Sequence, residues 1–125
     1  SVKTYRMFNL LKFGIYNCDV ILQGKFKEIS ANFVDQNHLP LNFKSVDILN
    51  LDRNAKIGYK PQNLRIGIGQ RQALVAVNKD TLYYLTPDDF LNTKIDLSAT
   101  EATFKMKRYI GEIESPSILR NLLEI

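Results

Sequence analysis

Three short apolar runs occupy the middle of the chain, at residues 64–69, 73–77 and 81–85, and only three residues separate one from the next. A helix that buries one face needs ten or more residues, whereas a strand needs four to eight. The separators Gln70-Arg71-Gln72 and Asn78-Lys79-Asp80 are polar turn sequences. The centre therefore reads as a meander of β-hairpins.

The same grammar extends outward. In the first segment Tyr5, Met7, Leu11, Phe13 and Ile15 share one parity, broken by Asn9, and Gly14 marks a bulge or bend. Phe8 and Leu10 share the other parity with Arg6 and Lys12, so that face is partly covered as well. Residues 26–34 form a further strand with Ile29, Ala31 and Phe33 on one face; Phe26 is out of phase, which implies a twist or bulge. Asp35 to His38 is a turn cluster, and Pro40 discourages regular pairing after it. Residues 43–51 carry Val46 and Ile48 inward, Asp52 begins another turn, and residues 56–60 make a short strand closed by Pro61. Residues 100–109 alternate again, with Phe104 and Met106 inward and Lys105 and Lys107 outward.

Helical signals are brief. Thr86-Pro87-Asp88-Asp89 supplies an N-cap, a first-turn proline and first-turn acids, predicting one turn through Leu91. Ser115-Pro116 repeats the signal ahead of an apolar stripe of Ile118, Leu119, Leu122 and Leu123, predicting a short C-terminal helix docked on the sheet. The expected fold is mainly β: an antiparallel β-sandwich or partly open barrel with a short C-terminal helix, in one domain over 1–125. A chain of 125 residues with 45% hydrophobic and 24% charged side chains hides roughly two-thirds of its unfolded surface, enough for a core without staples.

The charge balance excludes some partners. The net charge is +4, but 17 basic and 13 acidic residues are interspersed without a basic block of five. That describes a mixed solvated surface, and nucleic acid is not the expected partner. The single cysteine, Cys18, rules out an internal disulfide and a multi-thiolate zinc site. No apolar run approaches the roughly 18 residues of a membrane helix, and no signal peptide is visible. The sequence opens on Ser1, so a processed or trimmed product is expected.

Catalytic constellations do not assemble. Gly67-Ile68-Gly69 lacks the third glycine and the following helix of a dinucleotide loop, and reads as a strand thinned where something packs closely. His38, the only histidine, lies in a polar turn without companion ligands. Pairing it with Cys18 would make a thiol hydrolase, but Cys18 precedes Asp19 and no helix N-terminus that would lower its pKa. Asp88 and Asp89 diverge by about 100° on a helix and suit capping better than glycoside hydrolysis. Asp47 and Asp52 lack calcium-loop spacing. Phe104, Lys105, Lys107, Arg108 and Tyr109 mix aromatic and basic character as a base-stacking strand would, yet inward Phe104 and Met106 leave mainly a lysine-blunted edge.

The phrase Phe13-Gly14-Ile15-Tyr16-Asn17-Cys18-Asp19, together with residues 73–84 and the turn Pro87-Asp88-Asp89-Phe90, resembles a group of uncharacterised exported β domains from Bacteroidetes. That resemblance implies a periplasmic, surface, secreted or lipoprotein location and a place as the C-terminal part of a larger chain, with any membrane attachment through an upstream lipid anchor. It carries no catalytic residue and no cofactor. The resulting expectation is a noncatalytic module that binds a protein or cell-envelope component, with Tyr16, Tyr59, Tyr83 and Tyr84 as anchors. The alternatives are a carbohydrate-binding module, which needs two or three exposed rings in one plane, then a nucleic-acid-binding barrel or a small hydrolase.

Overall fold

The computed structural model describes residues 26–52, 55–95 and 98–109. The expected first strand with Tyr16 and Cys18, and the expected C-terminal helix, lie outside those residues. Within them the chain builds two sheets. The first gathers β1 (Phe26–Val34), β2 (Pro40–Leu41), β5 (Leu64–Gly67) and β8 (Glu101–Lys105). The second runs in the order β4 (Ala55–Tyr59), β3 (Val46–Asn50), β6 (Gln72–Asn78), β7 (Thr81–Leu85) and β9 (Lys107–Arg108). Pairing is antiparallel except that β8 runs parallel to β1. The fold is mainly β, and the two sheets do not close into a barrel.

Alternation explains the first sheet. Ile29, Ala31 and Phe33 of β1, Leu64 and Ile66 of β5, and Phe104 of β8 all point into the core and are buried. The opposite face carries Glu28, Asn32, Arg65, Glu101, Thr103 and Lys105, all exposed. Glu28 lies opposite Arg65 in register, and their side chains form a solvated ion pair at 3.7 Å. From the second sheet, Val46, Ile48, Leu74, Ala76 and Leu85 meet the same core. Its aromatic centre links Phe33 to Phe104 (5.6 Å, stacked), Phe33 to Phe43 (5.2 Å, edge-on) and Phe90 to Phe104 (5.7 Å).

The second sheet is different, because both of its faces are apolar. Leu49, Ala73, Val75 and Leu82 form a second buried cluster on the face away from the first sheet, flanked by Leu51, Val77, Tyr84 and Tyr109. This is why β6 reads as an unbroken apolar run instead of an alternating one.

The predicted hairpin meander holds only in its second half. β6 and β7 are hairpin partners, but β5 pairs with β1 in the other sheet, so the turn after β5 is a crossover between sheets. Side chains make the link that a ladder would otherwise make. The Gly67 N–H donates to Gln72 Oε1 (2.9 Å), and Gln72 Nε2 donates back to the Gly67 carbonyl (2.7 Å). One buried carboxamide thus imitates a backbone pairing partner. A Cβ at Gly67 would lie 2.5 Å from the Gln70 carboxamide, the tip of a flexible side chain that would have to swing aside; that carboxamide in turn accepts from Asn50 Nδ2. Gly69, at φ 75°, takes the left-handed turn position.

A second crossing occurs at Met106, which is fully buried. Its N–H donates to the Val34 carbonyl (2.8 Å), while three residues on the Tyr109 N–H donates to Leu82 of the other sheet (2.9 Å). The expected continuous strand over 100–109 is therefore two strands, bent where the chain changes sheets.

Candidate binding grooves beside helix α1

Helix α1 (Pro87–Asn92) forms where the capping signal placed it. Thr86 Oγ1 accepts from the Asp89 N–H (3.2 Å), and Pro87 occupies the first turn. The helix stops on Lys94, which adopts φ 54° and donates its N–H to the Leu91 carbonyl (3.2 Å). A left-handed lysine in a position that favours glycine carries a conformational cost of about 1 kcal/mol.

Two grooves flank this helix. On one side Phe90, Leu91 and Lys94 face the crossover turn after β5, and Ile66 and Ile95 complete an apolar groove of about 170 Å³. Ile66 and Phe90 are buried as its floor, while Leu91 is 74% exposed. On the other side Asp89, Asn92 and Thr93 face Thr103, Lys105 and Lys107 across a polar groove of about 360 Å³. The division follows from helical geometry: at about 100° per residue, positions 90, 91 and 94 cluster on one side and 89, 92 and 93 on the other.

The helix is tied to the sheets through the polar groove. Lys107 Nζ approaches the buried Asp89 Oδ2 to 2.9 Å. Its approach is off-line for a hydrogen bond, so the attraction is chiefly that of two opposite charges. Burial pushes the Asp89 carboxyl up, but the adjacent Lys107 ammonium and hydrogen bonding from Thr86 outweigh it, and the net is below the ordinary carboxylate value. Thr93 Oγ1 donates to the Asp89 carbonyl (3.1 Å). Gln36, at the end of the groove, spends its Nε2 on the Met106 carbonyl (3.0 Å).

The expected tyrosine anchors do not converge. Tyr83 and Tyr84 are neighbours on β7 and point to opposite faces: Tyr83 packs on the main core, Tyr84 on the second cluster. Tyr59 and Tyr83 do share a face, joined through the register Tyr59–Val46–Ala76–Tyr83. Three strand spacings of about 4.8 Å put their backbones about 14 Å apart. All three are half-buried, and Tyr83 lies edge-on to Phe43 at 5.7 Å. Tyr16 lies outside the described residues.

Other sequence candidates take structural roles. His38 is exposed in the β1–β2 turn at φ 63°, where Asp35 Oδ1 accepts from the N–H groups of Asn37 (2.8 Å) and Leu39 (2.9 Å). Asp47 lies 4.0 Å from Lys56, and Asp52 Oδ2 accepts from the Arg71 N–H (3.0 Å). Among the described residues no group of three or more His, Cys, Asp or Glu side chains is placed to hold a metal. No described helix is long and apolar enough to cross a membrane.

Fold and grooves together define a class: a two-sheet, mainly β domain with a short helical ridge between an apolar and a polar groove. No protein-family model, curated protein or solved structure matches the chain.

Sequence reading did not anticipate Leu91, Lys94, Asn92, Thr93 or Thr103 as groove residues. The two-sided composition of residues 89–94 was the available signal; the strands opposite them are set by long-range pairing.

Proposed function

We propose that this protein is a noncatalytic binding module that engages a component of the bacterial cell envelope through the ridge formed by α1. One observation carries the reading: Leu91 stands 74% exposed beside an open apolar groove. Leu39 is also exposed, at 60%, but Leu91 adjoins further apolar surface and extends it into a patch, the kind of surface that can serve as a contact site. Lys94 supports it, since its left-handed backbone sits at the rim of the same groove, and such cost tends to be retained at functional positions. The envelope compartment is inferred from the resemblance of the Phe13–Asp19 segment, with residues 73–84 and 87–90, to exported domains.

The test is photocrosslinking with a benzophenone amino acid in place of Leu91, and, as a control, in place of Glu28 on the polar face of the first sheet. The reading requires a discrete envelope adduct from position 91 that excess unmodified protein suppresses. Equal labelling from both positions, or labelling that the unmodified protein does not suppress, refutes it.

A further inference from the structure

We infer that the polar groove beside α1 takes an acidic saccharide, a polyol bearing carboxylate groups, which rests on the binding-module reading and gives its partner a chemistry. Lys105 and Lys107 both border the groove, against the single carboxylate of Asp89. Asp89 is already committed to Lys107 at 2.9 Å. Lys105 is exposed and makes no ion pair among the described residues. One ammonium thus remains for an anionic group on a ligand.

The rest of the lining suits hydroxyl groups. The Asn92 carboxamide and the Thr103 hydroxyl both donate and accept, while the Thr93 hydroxyl, its proton spent on the Asp89 carbonyl, accepts only. Gln36 commits its amide nitrogen to Met106 and keeps a carbonyl oxygen for a donor. Neighbouring hydroxyls on a sugar ring each offer a donor and an acceptor, which such mixed groups match. Among the described residues no aromatic ring lines this groove, so base stacking, the main sequence-tolerant attraction for single-stranded nucleic acid, has no platform among them. A bare phosphate would want a guanidinium fork or converging backbone N–H groups, and the lining side chains offer neither. The groove is also separate from Tyr59, Tyr83 and Tyr84, so a glycan site here does not need a plane of exposed rings.

The experiment is an amide chemical-shift titration of the intact chain with a galacturonate trimer, a neutral galactose trimer, glucose 6-phosphate and inorganic phosphate. The expected result is movement of Asn92, Thr93, Thr103 and Lys105 with the acidic trimer, and binding of the neutral trimer weaker by roughly tenfold. K105Q should weaken the acidic trimer by a similar factor while leaving the fold unchanged in the same spectra. Glucose 6-phosphate binding as tightly as the acidic trimer would overturn a carboxylate-bearing saccharide as the ligand. Silence of these amides up to about 10 mM, a range that covers even weak sites, overturns the inference. So does equal binding of inorganic phosphate alone, or unchanged binding by K105Q. If position 91 still crosslinks an envelope partner while the polar groove is silent, only the saccharide inference fails; if both are silent, the binding-module reading fails with it.

Discussion

Replacing Gln72 with leucine should remove the side-chain bridge between the two sheets while keeping volume nearly constant. The Gln72 carboxamide satisfies both polar groups of buried Gly67, at 2.9 and 2.7 Å, and reaches the Gln70 carbonyl at 3.3 Å. Leucine cannot replace any of these bonds. The Gly67 carbonyl keeps a long bond from the Gln70 N–H (3.4 Å), so the Gly67 N–H is the group left orphaned; an unsatisfied buried backbone group costs about 1–3 kcal/mol, a sizeable share of the roughly 5–15 kcal/mol available to a domain. Urea unfolding followed by far-UV circular dichroism measures it, with the midpoint falling and the slope held constant. Q72E sharpens the test. A carboxylate still accepts from the Gly67 N–H but faces the Gly67 carbonyl without a proton to give. Its pKa is therefore raised in the folded state, the folded protein binds more protons, and stability relative to wild type is lost as pH rises from about 4.3, the unfolded value, through the raised folded value. Q72L within about 0.5 kcal/mol of wild type, the range of an inert surface change, would refute the reasoning; so would Q72E with a pH-independent deficit.

Other substitutions probe separate links. F104A removes the ring at the junction of Phe33 and Phe90 and should cost about 3–5 kcal/mol, read as a drop in Tm by calorimetry. D89N should lose a few tenths to about 1 kcal/mol at neutral pH, the scale of a partly exposed ion pair. Because the Asp89 carboxyl is held below its ordinary value, that deficit is present above about pH 4 and disappears as the pH falls through the lowered folded pKa; denaturation at pH 7 and pH 2.5 checks it. K94G should raise stability by about 0.5–1 kcal/mol by relieving the left-handed lysine, yet weaken crosslinking from position 91. L91S should leave the urea midpoint unchanged, since the side chain is 74% exposed, while abolishing competition in the crosslinking assay.

Much of the fold was legible because alternation is a local property. Ile29, Ala31 and Phe33, Val46 and Ile48, and Phe104 with Met106 all face inward as their spacing requires. The Thr86 cap and its proline also act within one turn, and the helix begins where they put it. What escaped was the assignment of strands to sheets. A turn such as Gln70-Arg71-Gln72 looks like a hairpin until the Gln72 carboxamide is seen to bond Gly67 across a crossover. The break at Met106 is equally invisible, because apolar–polar alternation continues from Thr103 to Lys107 on both sides of it. The tyrosines failed to converge for a related reason: adjacency on β7 guarantees that Tyr83 and Tyr84 diverge. The grooves depend on which strands lie beside α1, and that is settled by pairing between residues some seventy positions apart, as for Val34 and Lys105.

Lysine acylation footprinting in the presence of isolated cell-envelope fragments, read by mass spectrometry of the intact chain's peptides, tests the binding surface most directly. Lys94 and Lys105 border the two grooves, whereas Lys44, Lys60 and Lys79 are exposed elsewhere. Protection of Lys94 and Lys105, with the other three reacting as freely as before, is the predicted result. Protection confined to Lys44, Lys60 or Lys79, or none at any lysine, would contradict the assignment of α1 as the ridge through which this protein binds.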